Sequence, residues 1–166
     1  MHLFVTGGTG FFGKALLRFW KKNPHTISVY ENITLLSRNP EQFTNKYAGL
    51  LNGLNVSLHK GDIMLPATLP SDDSITHVIH AATDSTFGPQ LAPLDRYKQI
   101  VDGTQNLLDF AVQHKVKKFL LTSSGGVYGP QPQDMEQIPE TYCGMPDPLD
   151  PNAAYSVGKR AAAVSY

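Results

Sequence analysis

The chain has 166 residues, 41% hydrophobic and 17% charged, and its 14 basic side chains balance 14 acidic ones. That length allows one domain with a proper core, and zero net charge argues against nucleic acid or an acidic membrane as the main partner, since both draw on a basic excess. No run approaches the ~18 apolar residues of a membrane span, no secretory leader opens the chain, and the lone Cys143 excludes an internal disulfide, so a cytoplasmic protein is expected. The six histidines (2, 25, 59, 77, 80 and 114) form no metal-ligand pattern, and no metal is expected.

Short β-rich runs alternate with longer helical ones, the rhythm of βαβ units and a doubly wound parallel sheet. His2–Thr6 (HLFVT) is apolar and ends in glycines, so it reads as a first buried strand. Gly13–Lys22 reads as a helix with Ala15, Leu16, Phe19 and Trp20 on its buried face, halted by Asn23-Pro24. Ile33–Ser37 is a second strand, Pro40–Leu51 a short helix, and Val56–Lys60 a third strand running into Gly61-Asp62. Thr76–His80 is a fourth strand, ending at Ala81-Ala82. Tyr97–His114 is the longest helix, its buried stripe made by Ile100, Val101, Leu107, Leu108 and Ala111, and Lys118–Thr122 is a fifth strand. Prolines 130, 132, 139, 146, 148 and 151 then impose a long loop. Helical character returns at Ala153 and runs to the end without a C-terminal cap signal, so the chain reads as part of a longer protein.

Two stretches carry chemistry. Thr6-Gly7-Gly8-Thr9-Gly10-Phe11-Phe12-Gly13 lies between the first strand and the first helix, with Gly7, Gly10 and Gly13 spaced G-x-x-G-x-x-G. Glycine permits a tight turn, backbone approach to a pyrophosphate and close helix–strand packing, and the helix N-terminus then offers N–H groups to the phosphates. Tyr155-Ser156-Val157-Gly158-Lys159 is a Y-x-x-x-K on a helix, where i and i+4 share a face. A lysine there makes a tyrosine usable as an acid or base, although the same spacing also describes an exposed helix pair. Thr122-Ser123-Ser124 ends the fifth strand, and ligands of open α/β sheets bind at the carboxyl ends of strands. The second strand decides the cofactor. If it is Ile33–Ser37, Ser37-Arg38 stands at its tip and the NADP phosphate is favoured; if it is Ile27–Tyr30, Glu31 stands there and NAD is favoured. The ITLL run, stopped by Asn39-Pro40, is the better strand, so NAD(P) with a preference for NADP is expected.

Together, TGGTGFFG, Gly61-Asp62, His80-Ala81-Ala82, DGTQNLL (102–108), SSGGVYG (123–129) and YSVGK (155–159) resemble the N-terminal part of an extended short-chain dehydrogenase/reductase. The resemblance is to the NAD-dependent epimerase/dehydratase family of nucleotide-sugar enzymes. It implies a Rossmann-type fold in which Ser124, Tyr155 and Lys159 act together at the nicotinamide, and Lys159 also reaches its ribose. It implies further that Gly7, Gly10, Phe11, Phe12, Gly13, Ser37, Arg38 and Thr122 belong to the cofactor site. Asp62 would hold the adenine with Ile63 beside it, and Ala81 and Ala82 would line the cleft.

The expected activity is nucleotide-sugar epimerisation or 4-ketoreduction, with a homodimer for the full-length protein and little turnover by residues 1–166 alone. The alternatives are a non-catalytic NADP-binding module and a reductase of a non-sugar carbonyl. Three departures from the family pattern stand out, one being that the C-terminal, substrate-binding half of a full member is expected to lie outside residues 1–166. Ile100 occupies a position where the family often has Asn. Gly125-Gly126 stands where relatives that eliminate water or decarboxylate carry acidic residues.

Overall fold

The chain opens on β1 (His2–Thr6), whose five residues are all buried, as the central strand of a parallel sheet covered on both faces must be. Around it, in the computed structural model, which describes residues 1–84 and 88–165, lie β2 (Asn32–Ser37), β3 (Val56–Lys60), β4 (Ile75–His80) and β5 (Lys118–Leu121). All pairings are parallel and the order is β3-β2-β1-β4-β5, with Val5 level with Leu35 on one side and Ile79 on the other. Alternate residues of β1 point to opposite faces. Leu3 and Val5 join Leu17, Trp20 and Phe43 from α1 (Phe11–Lys22) and α2 (Pro40–Leu51). Phe4 joins Val78 of β4 and Leu107 and Phe110 of α3 (Pro93–Gln113). Helices on both faces of a parallel sheet make the doubly wound, Rossmann-type fold that the strand–helix rhythm predicts.

Contacts gather into two compact units, the first Met1–Ala82 with Asn106–Thr122, the second Thr83–Gln105 with Ser123–Tyr166. The first holds the whole sheet. The second holds the first turns of α3, a 3-10 turn at Gly125–Tyr128 and α4 (Ala154–Val164). Residues 129–150 form no helix or strand, as their prolines dictate. Within this unit Arg160 ties the loop to α4, its Nη1 donating to Val127 O at 2.8 Å and Gly144 O at 2.7 Å.

Two helix faces differ from expectation. α1 starts at Phe11 and buries Gly13, Leu17 and Trp20, while Ala15 is exposed and Phe19 is 51% exposed. The cause is Gly13, where a Cβ would lie 2.1 Å from Gly8 O. That contact turns the glycine toward the loop, and helical spacing then carries residues 17 and 20 inward and 15 and 19 outward. α3 starts at Pro93, and its buried face runs through Ile100, Thr104, Leu107 and Phe110, with Val101, Leu108 and Ala111 only half-buried. Among the described residues no helix is long and apolar enough to cross a membrane.

Candidate functional site

The order of strands reverses between β1 and β4, and the ends of both strands are joined there. Gly7 has φ +76°, and a Cβ on it would fall 2.5 Å from the carbonyl of Ala81, so only glycine lets the chain leave β1 across the end of β4. Thr6 O accepts the Ala81 N–H at 3.1 Å, and Thr6 Oγ1 accepts the Ala82 N–H at 3.3 Å while lying 2.7 Å from His80 Nδ1. Ala81 and Ala82 are thereby fixed beside the glycine turn. Gly10 is the N-cap of α1; it brings no side-chain cap, and the first turn holds no acid. The N–H groups of Phe11, Phe12 and Gly13 therefore sit at an uncapped helix end with its positive dipole uncompensated. Room without side chains, outward donors and positive potential fit the diphosphate of a dinucleotide. The rings of Phe11 and Phe12 meet edge to face at 5.4 Å and stay exposed.

Ser37 closes β2, its Oγ accepting the Asn39 N–H at 3.2 Å, and Arg38 follows as an exposed residue. Residues 24–27 form a 3-10 turn, and Glu31 lies ahead of β2, paired with the N-terminal amine at 3.4 Å. Arg38, not Glu31, thus stands at the carboxyl edge. Past β3, Asp62 Oδ1 accepts the Met64 N–H at 2.9 Å, and the Asp62 N–H donates to Thr68 Oγ1 at 2.9 Å. Ile63 packs on the α3 side of the sheet, and its carbonyl accepts Asn106 Nδ2 at 2.8 Å. Thr122 donates both its N–H and its hydroxyl to His80 O, at 3.0 and 3.1 Å. That hydroxyl ties β5 to β4.

The second unit carries Ser124, Tyr155 and Lys159. Ser124 caps the 3-10 turn, its Oγ accepting the Gly126 N–H at 3.2 Å. One lone pair is thus engaged, and the hydroxyl proton remains available to an outside acceptor. A Cβ on Gly126 would lie 2.4 Å from Ser156 Oγ, so the bare glycine lets this turn lie against the start of α4, next to Tyr155. Tyr155 is half-buried, and Lys159, one helical turn on, is 3% exposed. Burial pushes the Lys159 ammonium below the ordinary lysine range. Ile100 packs against Gly158, where a Cβ would lie 3.3 Å from Ile100 Cδ1.

The lysine's burial has a measurable consequence. With its pKa lowered in the folded state, the wild-type penalty is full below the folded-state pKa and shrinks as pH rises from there toward ~10.4, where the unfolded-state lysine also loses its proton. Lys159→Met is expected to raise the Tm near pH 7, with the gap to wild type narrowing as pH rises. Thermal unfolding across pH checks this; a gap that widens with pH contradicts it.

Motif spacing does not find Arg96. Its Cζ lies 4.9 Å from the centroid of the Tyr155 ring. The one available signal was its place in the opening turns of α3, where the helix dipole favours acids such as Asp95 rather than cations.

Comparison with known proteins shows the family to which the chain belongs. The model of the NAD dependent epimerase/dehydratase family matches residues 3–165, and the chain belongs to that family. It is 30% identical to the UDP-glucose 4-epimerase of Halalkalibacterium halodurans, over 97% of this chain and 44% of that one. It is also 30% identical to UDP-glucuronic acid decarboxylase 2 of Arabidopsis thaliana, over 98% of this chain and 34% of that one. Among solved structures, the dTDP-glucose 4,6-dehydratase DesIV of Streptomyces venezuelae, with NAD and TYD bound, superposes with a TM-score of 0.75 at 23% identity, covering 99% of this chain and 50% of that one. The chain thus spans half or less of the length of these relatives.

Proposed function

We propose that the first unit binds a nicotinamide dinucleotide and that the second carries the acid–base residues of a nucleotide-sugar epimerase or 4-ketoreductase. The observation that carries this reading is Lys159, buried to 3% one helical turn after Tyr155. An ammonium kept out of water costs stability, and at this spacing it stabilises the charge that a phenol acquires on giving up its proton.

The bound nicotinamide supplies a hydride acceptor and donor. Tyr155 takes the proton of the sugar C4 hydroxyl as hydride leaves that carbon, giving a carbonyl, and gives the proton back when hydride returns. Return to the opposite face inverts the centre; the second half alone, starting from a keto sugar, is a reduction. Ser124 donates its hydroxyl proton to the same sugar oxygen and steadies it through both steps. Lys159 balances the phenolate and holds the nicotinamide ribose. In the first unit, the N–H groups at Gly10–Gly13 take the diphosphate, Asp62 takes the adenine with Ile63 beside it, and Ala81, Ala82 and Thr122 line the cleft.

The Gly125-Gly126 pair favours these reactions over elimination or decarboxylation. No acid or base stands at either position, and Ser156 fills the space that a side chain at 126 would need. The full-length protein is proposed to be a cytoplasmic homodimer. Chromatography of UDP-, CDP- and dTDP-hexoses after incubation with it tests the reading. Conversion to an epimer, or reduction of the 4-keto sugar with reduced cofactor, is expected; neither reaction with any of the three nucleotides contradicts it.

Arg38 at the end of β2 supports a preference for NADP(H), although DesIV has NAD bound. Arg38→Ala is expected to weaken NADP binding by ~1–3 kcal/mol, the range of a charge-assisted contact, and to change NAD binding little. Calorimetry with both cofactors decides. Tighter binding of NAD by wild type removes the preference.

A further inference from the structure

Among the described residues, Arg96 of the second unit lacks the hydrogen-bond partner that its buried Nη1 would ordinarily have. Its Nη1 is buried and makes no hydrogen bond among the described residues, and Arg96 makes no ion pair there. On one side is the backbone of Gly88, where a Cβ would lie 3.0 Å from Nη1. In the same unit its Cζ lies 4.9 Å from the centroid of the Tyr155 ring. Asp84 Oδ1 accepts the Gly88 N–H at 3.4 Å. A cation left unpaired while its guanidinium rests on an aromatic ring is stabilised by that ring's electron density. The attraction grows when the ring becomes a phenolate, because a full negative charge then faces it.

We propose that Arg96 is a positioning residue for Tyr155: clamped between Gly88 and the ring, its guanidinium holds the phenol in its working orientation and adds a second positive charge beside that of Lys159. This rests on Tyr155 being the acid–base group. Bare glycine at 88 is part of the device, since a methyl group there presses on Nη1 and shifts the guanidinium along the ring.

The test uses the full-length protein and whichever UDP-, CDP- or dTDP-hexose it turns over fastest. Arg96→Met keeps the length and apolar contact of the side chain and removes its charge. It is expected to lower kcat about 10- to 100-fold, the scale of a small misplacement of a catalytic group, with KM and cofactor affinity little changed and no fall in Tm. Arg96→Lys is expected to recover part of the loss. Gly88→Ala, which keeps the arginine but displaces it, is expected to lower kcat by a smaller factor; if Arg96→Met fails to fold, these two variants decide. Unchanged kcat in Arg96→Met, a raised KM with kcat intact, or full kcat in a folded Gly88→Ala overturns the proposal while an inactive Tyr155→Phe leaves the underlying reading standing. Full activity in Tyr155→Phe removes that reading itself.

Discussion

Gly10→Val is expected to leave the fold in place and abolish useful dinucleotide binding, whereas Gly13→Val is expected to damage the fold itself. The two glycines meet different surroundings. A Cβ on Gly10 touches only Gly7 O, at 3.2 Å, and the residue is exposed. Its stability change should stay below ~1 kcal/mol. The branched side chain nevertheless stands in the path proposed for the diphosphate at the helix N-terminus. Losing two charge-assisted hydrogen bonds removes about 3 kcal/mol, roughly a hundredfold in affinity. A Cβ on Gly13, by contrast, falls 2.1 Å from Gly8 O and 2.2 Å from Gly8 C, which are backbone atoms with no rotamer to escape into. Overpacking of that kind destabilises by ~3 kcal/mol or more. Urea midpoints and calorimetry on both variants check the contrast. Equal affinity in wild type and Gly10→Val moves the cofactor elsewhere.

Tyr155→Phe in the full-length protein is expected to lower turnover ~10²- to 10⁴-fold, the usual contribution of a positioned acid or base. That corresponds to about 3–5 kcal/mol of transition-state stabilisation. The substitution keeps the ring, and so keeps the contact with Arg96, but removes the transferable proton. Cofactor affinity should be unchanged, because the cradle proposed for the diphosphate lies in the first unit and uses backbone atoms. Because epimerisation leaves no net redox signal, nicotinamide absorbance must be paired with chromatography of the sugar nucleotides. A Tyr155→Phe protein that turns over at the wild-type rate places the chemistry on another residue.

Which parts of this arrangement are legible in the amino-acid sequence follows from how local each constraint is. β1 is legible because its five buried residues are contiguous and run into Gly7, whose positive φ few other residues tolerate. The choice between Glu31 and Arg38 is legible because ITLL has the β-branched and aliphatic character of a buried strand, while a proline and polar residues lead into Ile27–Tyr30. The buried face of α1 is not, because its rotation is set by contact between Gly13 and the Gly8 backbone, and periodicity alone does not see a glycine as a packing residue. The role of Phe110 in the α3 face escapes for a related reason: its partner Phe4 lies far away in sequence, with ring centroids 5.4 Å apart. Arg96 escapes motif spacing, since the contact between its guanidinium and Tyr155 joins α3 to α4 across more than fifty residues. Local motifs name candidate chemical groups; a contact such as that of Arg96 with Tyr155 comes from distant parts of the chain.

The central claim is that hydride moves between a sugar carbon and a nicotinamide bound by this chain, with Tyr155 handling the proton. The measurement that reaches it most directly is isotope transfer. The full-length protein, loaded with oxidised cofactor, is mixed with a nucleotide hexose carrying deuterium at C4 and quenched at successive times within a single turnover, before the hydride has returned to the sugar, and the cofactor is recovered for mass spectrometry. Deuterium on the nicotinamide in wild type, and its absence in Tyr155→Phe, is the predicted result. Conversion of the sugar with all of the deuterium kept at C4 and none on the cofactor at any time contradicts the account.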